Sequence, residues 1–146
     1  MLTVLKVQKM SQEELKKALK EIIHKHREIE GLSIVSSEGL PVVSLLPQEI
    51  DEIVISAITA TLISVGEKAN LQLNKGFLQR VILEGDNGYI VITSIDENTL
   101  LTAFTSKRVK LGLIFLALQE AIEKLKPIMQ KQAIETTAEI QVLNNT

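Results

Sequence analysis

His24 and His26 are the only imidazoles in the chain, and they stand two residues apart. On a helix that spacing turns them to different sides, so they do not converge on one ligand. No thiol or carboxylate cluster accompanies them, and no metal site is assigned. His26 falls on an apolar stripe and is read as a satisfied, partly buried histidine. Glu28, Glu30 and Glu38 could act as paired carboxylates, but their pattern is that of solvated surface. Gly85-Asp86-Asn87-Gly88 lacks the G-x-x-x-x-G-K-[ST] spacing of a phosphate loop and precedes a strand rather than a helix. No G-x-S-x-G elbow is present. There is no cysteine, hence no thiol nucleophile, disulfide scaffold or zinc ribbon. No catalytic residue, cofactor or metal is therefore assigned, and the chain is read as non-enzymatic. One charge cluster stands out. Lys107, Arg108 and Lys110 open the last helix, where cations oppose the helix dipole. They form either a solvated turn or a corner that meets an acidic partner or an anionic membrane surface.

Composition narrows the class further. The chain has 146 residues, the length of one domain. Leu, Ile and Val number 21, 18 and 11, against four aromatics: Phe77, Tyr89, Phe104 and Phe115. The core must be aliphatic. The formal net charge is −2, which excludes a disordered polyelectrolyte and gives no bulk attraction to nucleic acid. The longest apolar run, from Leu111 to Leu118, is too short to cross a bilayer. The N-terminus lacks the apolar stretch and cleavage site of a secretory signal. A cytoplasmic chain with no transmembrane segment is the expectation.

The order of elements is α-β-β-α-β-β-β-α. A capping box at Ser11-Gln12-Glu13-Glu14 predicts the start of the first helix. Leu15, Ala18, Leu19, Ile22, His26 and Ile29 lie on its apolar stripe, and Gly31 ends it. A hairpin follows, from Leu32 to Ser36 and from Pro41 to Leu46, around Ser37-Glu38-Gly39. The middle helix runs from about Gln48 to Leu71. Three strands come next: Gly76 to Glu84, Tyr89 to Ser94 and Leu100 to Thr105. The last helix begins near Ser106, with Leu111, Ile114, Phe115, Leu118, Ala121, Ile122, Leu125 and Met129 on one stripe. Pro127 should kink or end it. This is an α+β fold, with a five-stranded antiparallel sheet, the middle helix on one face and the terminal helices on the other. Residues 1–10 are an N-terminal extension, 11–132 the domain, and 133–146 a C-terminal tail.

The middle helix carries too much apolar surface for one contact. Val54, Ile55, Ile58, Leu62, Val65 and Ala69 form one stripe, and Ile50, Ile53, Ala57 and Ala60 widen it to an arc of about 220°. The polar strip is Glu52, Ser56, Thr59, Glu67 and Asn70, interrupted by Ile63. Such a helix needs cover on two sides. The long third strand, Phe77 to Leu83, carries a single charge and invites pairing with a copy of itself if it lies at an edge. Both features point to a homodimer with an isologous contact. The predicted contact comprises Ile55, Ile58, Thr59 and Leu62 of the helix and Phe77, Gln79 and Val81 of the strand.

The chain also resembles a Roadblock/dynein-light-chain family domain, of the stand-alone, MglB-like archaeal or bacterial type. The resemblance runs from about Ser11 to Leu125. It is carried by the segment from Gly31 to Ser44, by Ser56-Ala57 and Ala60, by Gly85-Asp86-Asn87-Gly88-Tyr89, and by Lys110-Leu111-Gly112-Leu113. It implies a dimer with antiparallel middle helices and paired third strands. It further implies a regulator or platform for small Ras-like GTPases, activating or modulating exchange; the charge cluster Lys107, Arg108 and Lys110 is the candidate partner contact. Arg80 and Arg108 are the side chains conceivable as an arginine finger. The alternative it implies is a pure assembly or adaptor module in a motor or membrane-tethered complex, without effect on nucleotide state.

Overall fold

The computed structural model describes residues 2–106 and 108–145, the first nine of these by backbone alone. The elements are α1 (Leu2–Lys25), β1 (Ile29–Ser36), β2 (Pro41–Leu45), α2 (Glu52–Gln72), β3 (Arg80–Gly85), β4 (Gly88–Ser94), β5 (Thr99–Thr105) and α3 (Leu111–Asn144). The five strands form one sheet in the order β2-β1-β5-β4-β3, antiparallel throughout. The predicted class and element order hold.

Alternation along the strands sorts side chains between two layers. Leu32, Ile34, Val91, Leu101 and Ala103 meet Leu15, Leu19 and Ile22 of α1 and Ile114, Leu118 and Leu125 of α3 in one large aliphatic core. Ile92 and Leu100 point the other way and meet Ile63 of α2 in a much smaller one. The terminal helices therefore share one face of the sheet and the middle helix takes the other.

Several boundaries differ from the sequence expectation. α1 begins at Leu2, not Ser11. Ser11 is buried inside the helix, because the preceding residues continue the helix and a capping signal yields to a helix that does not stop. α1 ends at Lys25, so His26 lies just beyond it. Ile29 and Gly31 belong to β1, where the pairing with β5 shifts register between them. α2 starts at Glu52 rather than Gln48, because Asp51 caps it: its Oδ1 accepts from the Ile53 N–H at 2.8 Å. β3 starts at Arg80, so Phe77 and Gln79 precede it. α3 starts at Leu111 and continues through Pro127 to Asn144. Pro127 is exposed, so the carbonyl it leaves without an N–H partner is open to water. The last residues, 133–144, are helix in continuity with the rest.

α1 and α3 run antiparallel and are clasped at one end by ion pairs. Glu120 of α3 receives Lys25 Nζ on Oε1 at 2.5 Å and His26 Nε2 on Oε2 at 2.7 Å. Lys124 Nζ reaches Glu21 Oε2 at 3.3 Å. His26 is thus partly buried and satisfied, as its place in the sequence suggested. The hydrogen bonds from Lys25 and His26 hold the Glu120 carboxyl down, from the ordinary 4.5 to about 2. A carboxylate with a depressed value stabilises the fold above its unfolded value and loses that contribution as pH falls through its folded one. Glu120→Gln should therefore melt below the unmodified chain at neutral pH, with the gap closing between about pH 4.5 and pH 2. Melting curves at a series of pH values check this; a gap independent of pH would contradict it.

The β3–β4 turn is two residues long, with Gly85 paired to Gly88 across Asp86-Asn87. Gly88 has φ +146°, and a Cβ placed there would lie 1.9 Å from the Thr105 carbonyl oxygen. Gly112 has open space around it and sits in the first turn of α3. Gly88→Ala should destabilise the protein by more than about 1 kcal/mol in urea unfolding. Gly112→Ala should be neutral, or stabilising by less than about 1 kcal/mol. Equal effects would contradict the turn geometry.

Candidate functional site: the outer face of the middle helix and the edge strand

The orientation of α2 is the least expected feature of the molecule. Its buried residues are Ser56, Thr59 and Ile63, so the polar strip, not the aliphatic stripe, faces the sheet. Thr59 is 1% exposed, and its Oγ1 lies 2.7 Å from Thr102 Oγ1 on β5. Ser56 Oγ donates to the Glu52 carbonyl at 2.8 Å. Beside them, Ser33 and Ser44 pair hydroxyl to hydroxyl at 2.7 Å across β1 and β2. Small hydroxylated side chains let the helix lie close to the strands while satisfying one another. Apolar packing enters only toward the C-terminal half, where Leu62, Leu78, Val81 and Ile90 surround Ile63, Ile92 and Leu100. There Gly66 allows close approach, since a Cβ on it would lie 3.1 Å from Leu78 and 3.3 Å from Val81.

The aliphatic face is consequently outside. Ile53 is 69% exposed, Val65 61%, Val54 52% and Ile58 44%. Thr61 lies among them, but its hydroxyl donates to the Ala57 carbonyl at 2.8 Å, which leaves its methyl as the outward group. In the last turn of α2 and just past it, Leu71, Leu73 and Phe77 are also exposed, Phe77 at 94%.

The predicted contact residues divide into four groups. Ile58 lies on the outer face of α2, and Ile55 is half-buried beside it. Leu62 and Val81 are half-buried and tie α2 to the edge of the sheet. Phe77 and Gln79 are exposed on the segment leading into β3. Thr59 differs: it belongs to the protomer's own interior, because its hydroxyl needs Thr102. Ile53, Val54 and Val65 form the rest of the outer face and lay within the wide apolar arc visible in the sequence. β3 is an edge strand, exposed along nearly its whole length. Its Arg80 guanidinium sits 4.4 Å from the centre of the Phe115 ring of α3, a cation–π contact.

The basic corner lies elsewhere. Arg108 and Lys110 are exposed ahead of α3, on the opposite face of the sheet from α2, and Lys107 lies outside the described residues. Lys110 is the N-cap of α3 without a side-chain capping bond. Among the described residues no three His, Asp or Glu side chains could hold a metal ion, and no helix is long and apolar enough to cross a membrane.

Comparison with known proteins agrees with this architecture. The uncharacterized protein MJ1340 of Methanocaldococcus jannaschii is 28% identical over 104 residues, 71% of this chain and 90% of its own. Among solved structures, MglB of Myxococcus xanthus superposes with a TM-score of 0.75 at 16% identity, over 83% of this chain and 91% of that one. A Roadblock/LC7 domain from Streptomyces avermitilis does so with a TM-score of 0.73 at 13% identity, over 79% and 97%. Residues 15–105, which run from the core of α1 to the end of β5, match the Roadblock/LC7 domain, and the chain belongs to that family.

Proposed function

We propose that the chain forms a homodimer through the outer face of α2 and the edge of β3, and that this dimer is a platform for a small Ras-like GTPase. The observation that carries the reading is the outward aliphatic face of α2. Ile53, Val54, Ile58 and Val65 would each contribute roughly 1 kcal/mol on being covered. A second copy running antiparallel fits the charges at the ends of the helix. Asp51 comes beside Lys68 of the copy when Val54 lies opposite Val65 and Ile58 opposite Thr61. The same two-fold brings the two β3 strands edge to edge. Leu62 and Val81 then support the contact from beneath, with Phe77 and Gln79 at its margin. Family membership and the likeness to MglB folds support a small GTPase as the partner. Since no reactive group is assigned to this surface, the platform acts by binding and repositioning the switch loops of its partner. A cytoplasmic location fits that role.

Two substitutions separate outer face from core. Ile58→Asp should keep its circular dichroism and lose self-association. Ile63→Asp, which places a charge in the small core beneath α2, should destabilise the fold by about 3 kcal/mol or more. Unfolding of the Ile58 variant would assign that residue to the protomer's interior instead.

The GTPase assignment is checked by mixing the purified protein with small Ras-like GTPases encoded in the same genome. Co-elution with a changed rate of hydrolysis or nucleotide exchange is the expected result. Co-elution at unchanged rates would make the protein an assembly adaptor, and no co-elution would sink the proposal.

A further inference from the structure

β2 is the other edge of the sheet, at the far side from β3. Its sequence, Pro41-Val42-Val43-Ser44-Leu45, contains no charged residue. Edge strands are normally guarded by charges, prolines or bulges. Here the guards stand at the ends only. Pro41 opens the strand, the register with β1 shifts between Ile34 and Val35, and Pro47 follows two residues after Leu45. Val42 is the residue that this shift leaves without a partner on β1; from Val43 on, the edge carries no guard before Pro47, and alternate residues aim N–H and C=O groups outward.

That edge borders a groove. Gln12, Glu13 and Lys16 of α1 form one wall, Glu52 at the start of α2 stands opposite, and Val42, Val43 and Ser44 line it between them, enclosing about 360 Å³. The lining carries two carboxylates, Glu13 and Glu52, against one cation, Lys16.

We infer that β2 accepts an added strand from an extended, basic segment of a partner protein, seated in this groove. Backbone hydrogen bonds to residues 42–46 supply the pairing. Basic side chains on the added strand meet Glu13 and Glu52, which sets its charge preference. The two prolines limit the paired length to about five residues. Because this edge lies across the sheet from β3, the site exists in each protomer whether or not two copies associate.

A labelled peptide of about eight residues alternating lysine and valine is a direct probe, read by fluorescence anisotropy and by amide exchange in NMR spectra of the full chain. Slowed exchange confined to residues 42–46 is expected on binding. The double substitution Glu13→Lys and Glu52→Lys should weaken binding at least tenfold with the fold intact by circular dichroism. Lys16→Glu should strengthen it. The same peptide methylated on every backbone nitrogen should not bind, because neither of its edges can donate. Failure of the unmodified peptide to bind overturns the inference. So does equal binding of a glutamate–valine peptide or of the methylated one, or protection at Arg80–Gly85 in place of residues 42–46.

Discussion

The buried hydroxyl pair of Thr59 and Thr102 decides which way the middle helix faces. Both side chains are 1% exposed, and each oxygen finds the other at 2.7 Å. A buried hydroxyl without a partner costs about 1–3 kcal/mol. Turning α2 by one residue about its axis would strand both groups and drive a bulky aliphatic chain into a space shaped for Ser56 and Thr59. The helix is therefore locked with its small polar side inward. Everything else about its surface follows: Val54, Ile58 and Val65 must point away from the protomer.

The two faces of the sheet are built on different principles. Beneath α1 and α3 the packing is large, aliphatic and closed, with Glu120 clasping the helix pair at its margin. Beneath α2 the apolar core shrinks to Ile63, Ile92 and Leu100 with a few half-buried neighbours. A chain with many aliphatic residues and few aromatics thus spends part of its aliphatic surface outside. The first face closes over a large core, and the second leaves aliphatic side chains on the outside.

The fold was legible in the sequence because its signals are local and repeated. Leu15, Leu19 and Ile22 recur at helical spacing, as do Ile114, Leu118 and Leu125, and all are buried as that periodicity requires. Asp86-Asn87 between two glycines marked its turn. Helix ends were less legible: the cap at Asp51 and the uninterrupted run from Leu2 through Ser11 depend on what the backbone does next. The orientation of α2 was hidden for a different reason. Periodicity reports two faces of a helix but not which one meets the sheet. The rule that the apolar side goes inward misassigns a helix whose sheet offers hydroxyls at Ser33 and Thr102. Thr59 was placed in the contact between copies with its neighbours Ile55, Ile58 and Leu62, and only its partner across the strand reveals it as interior. The excess width of the apolar arc was the valid signal, because it required a second cover whichever side faced in.

Whether that cover is a second copy of the chain is the central claim. It is tested most directly by static light scattering of the unmodified protein across the micromolar range. A mass about twice the 16.2 kDa of the chain, persisting on dilution, is the predicted result. A mass of 16.2 kDa throughout would contradict the account and leave the outer face of α2 for a different molecule.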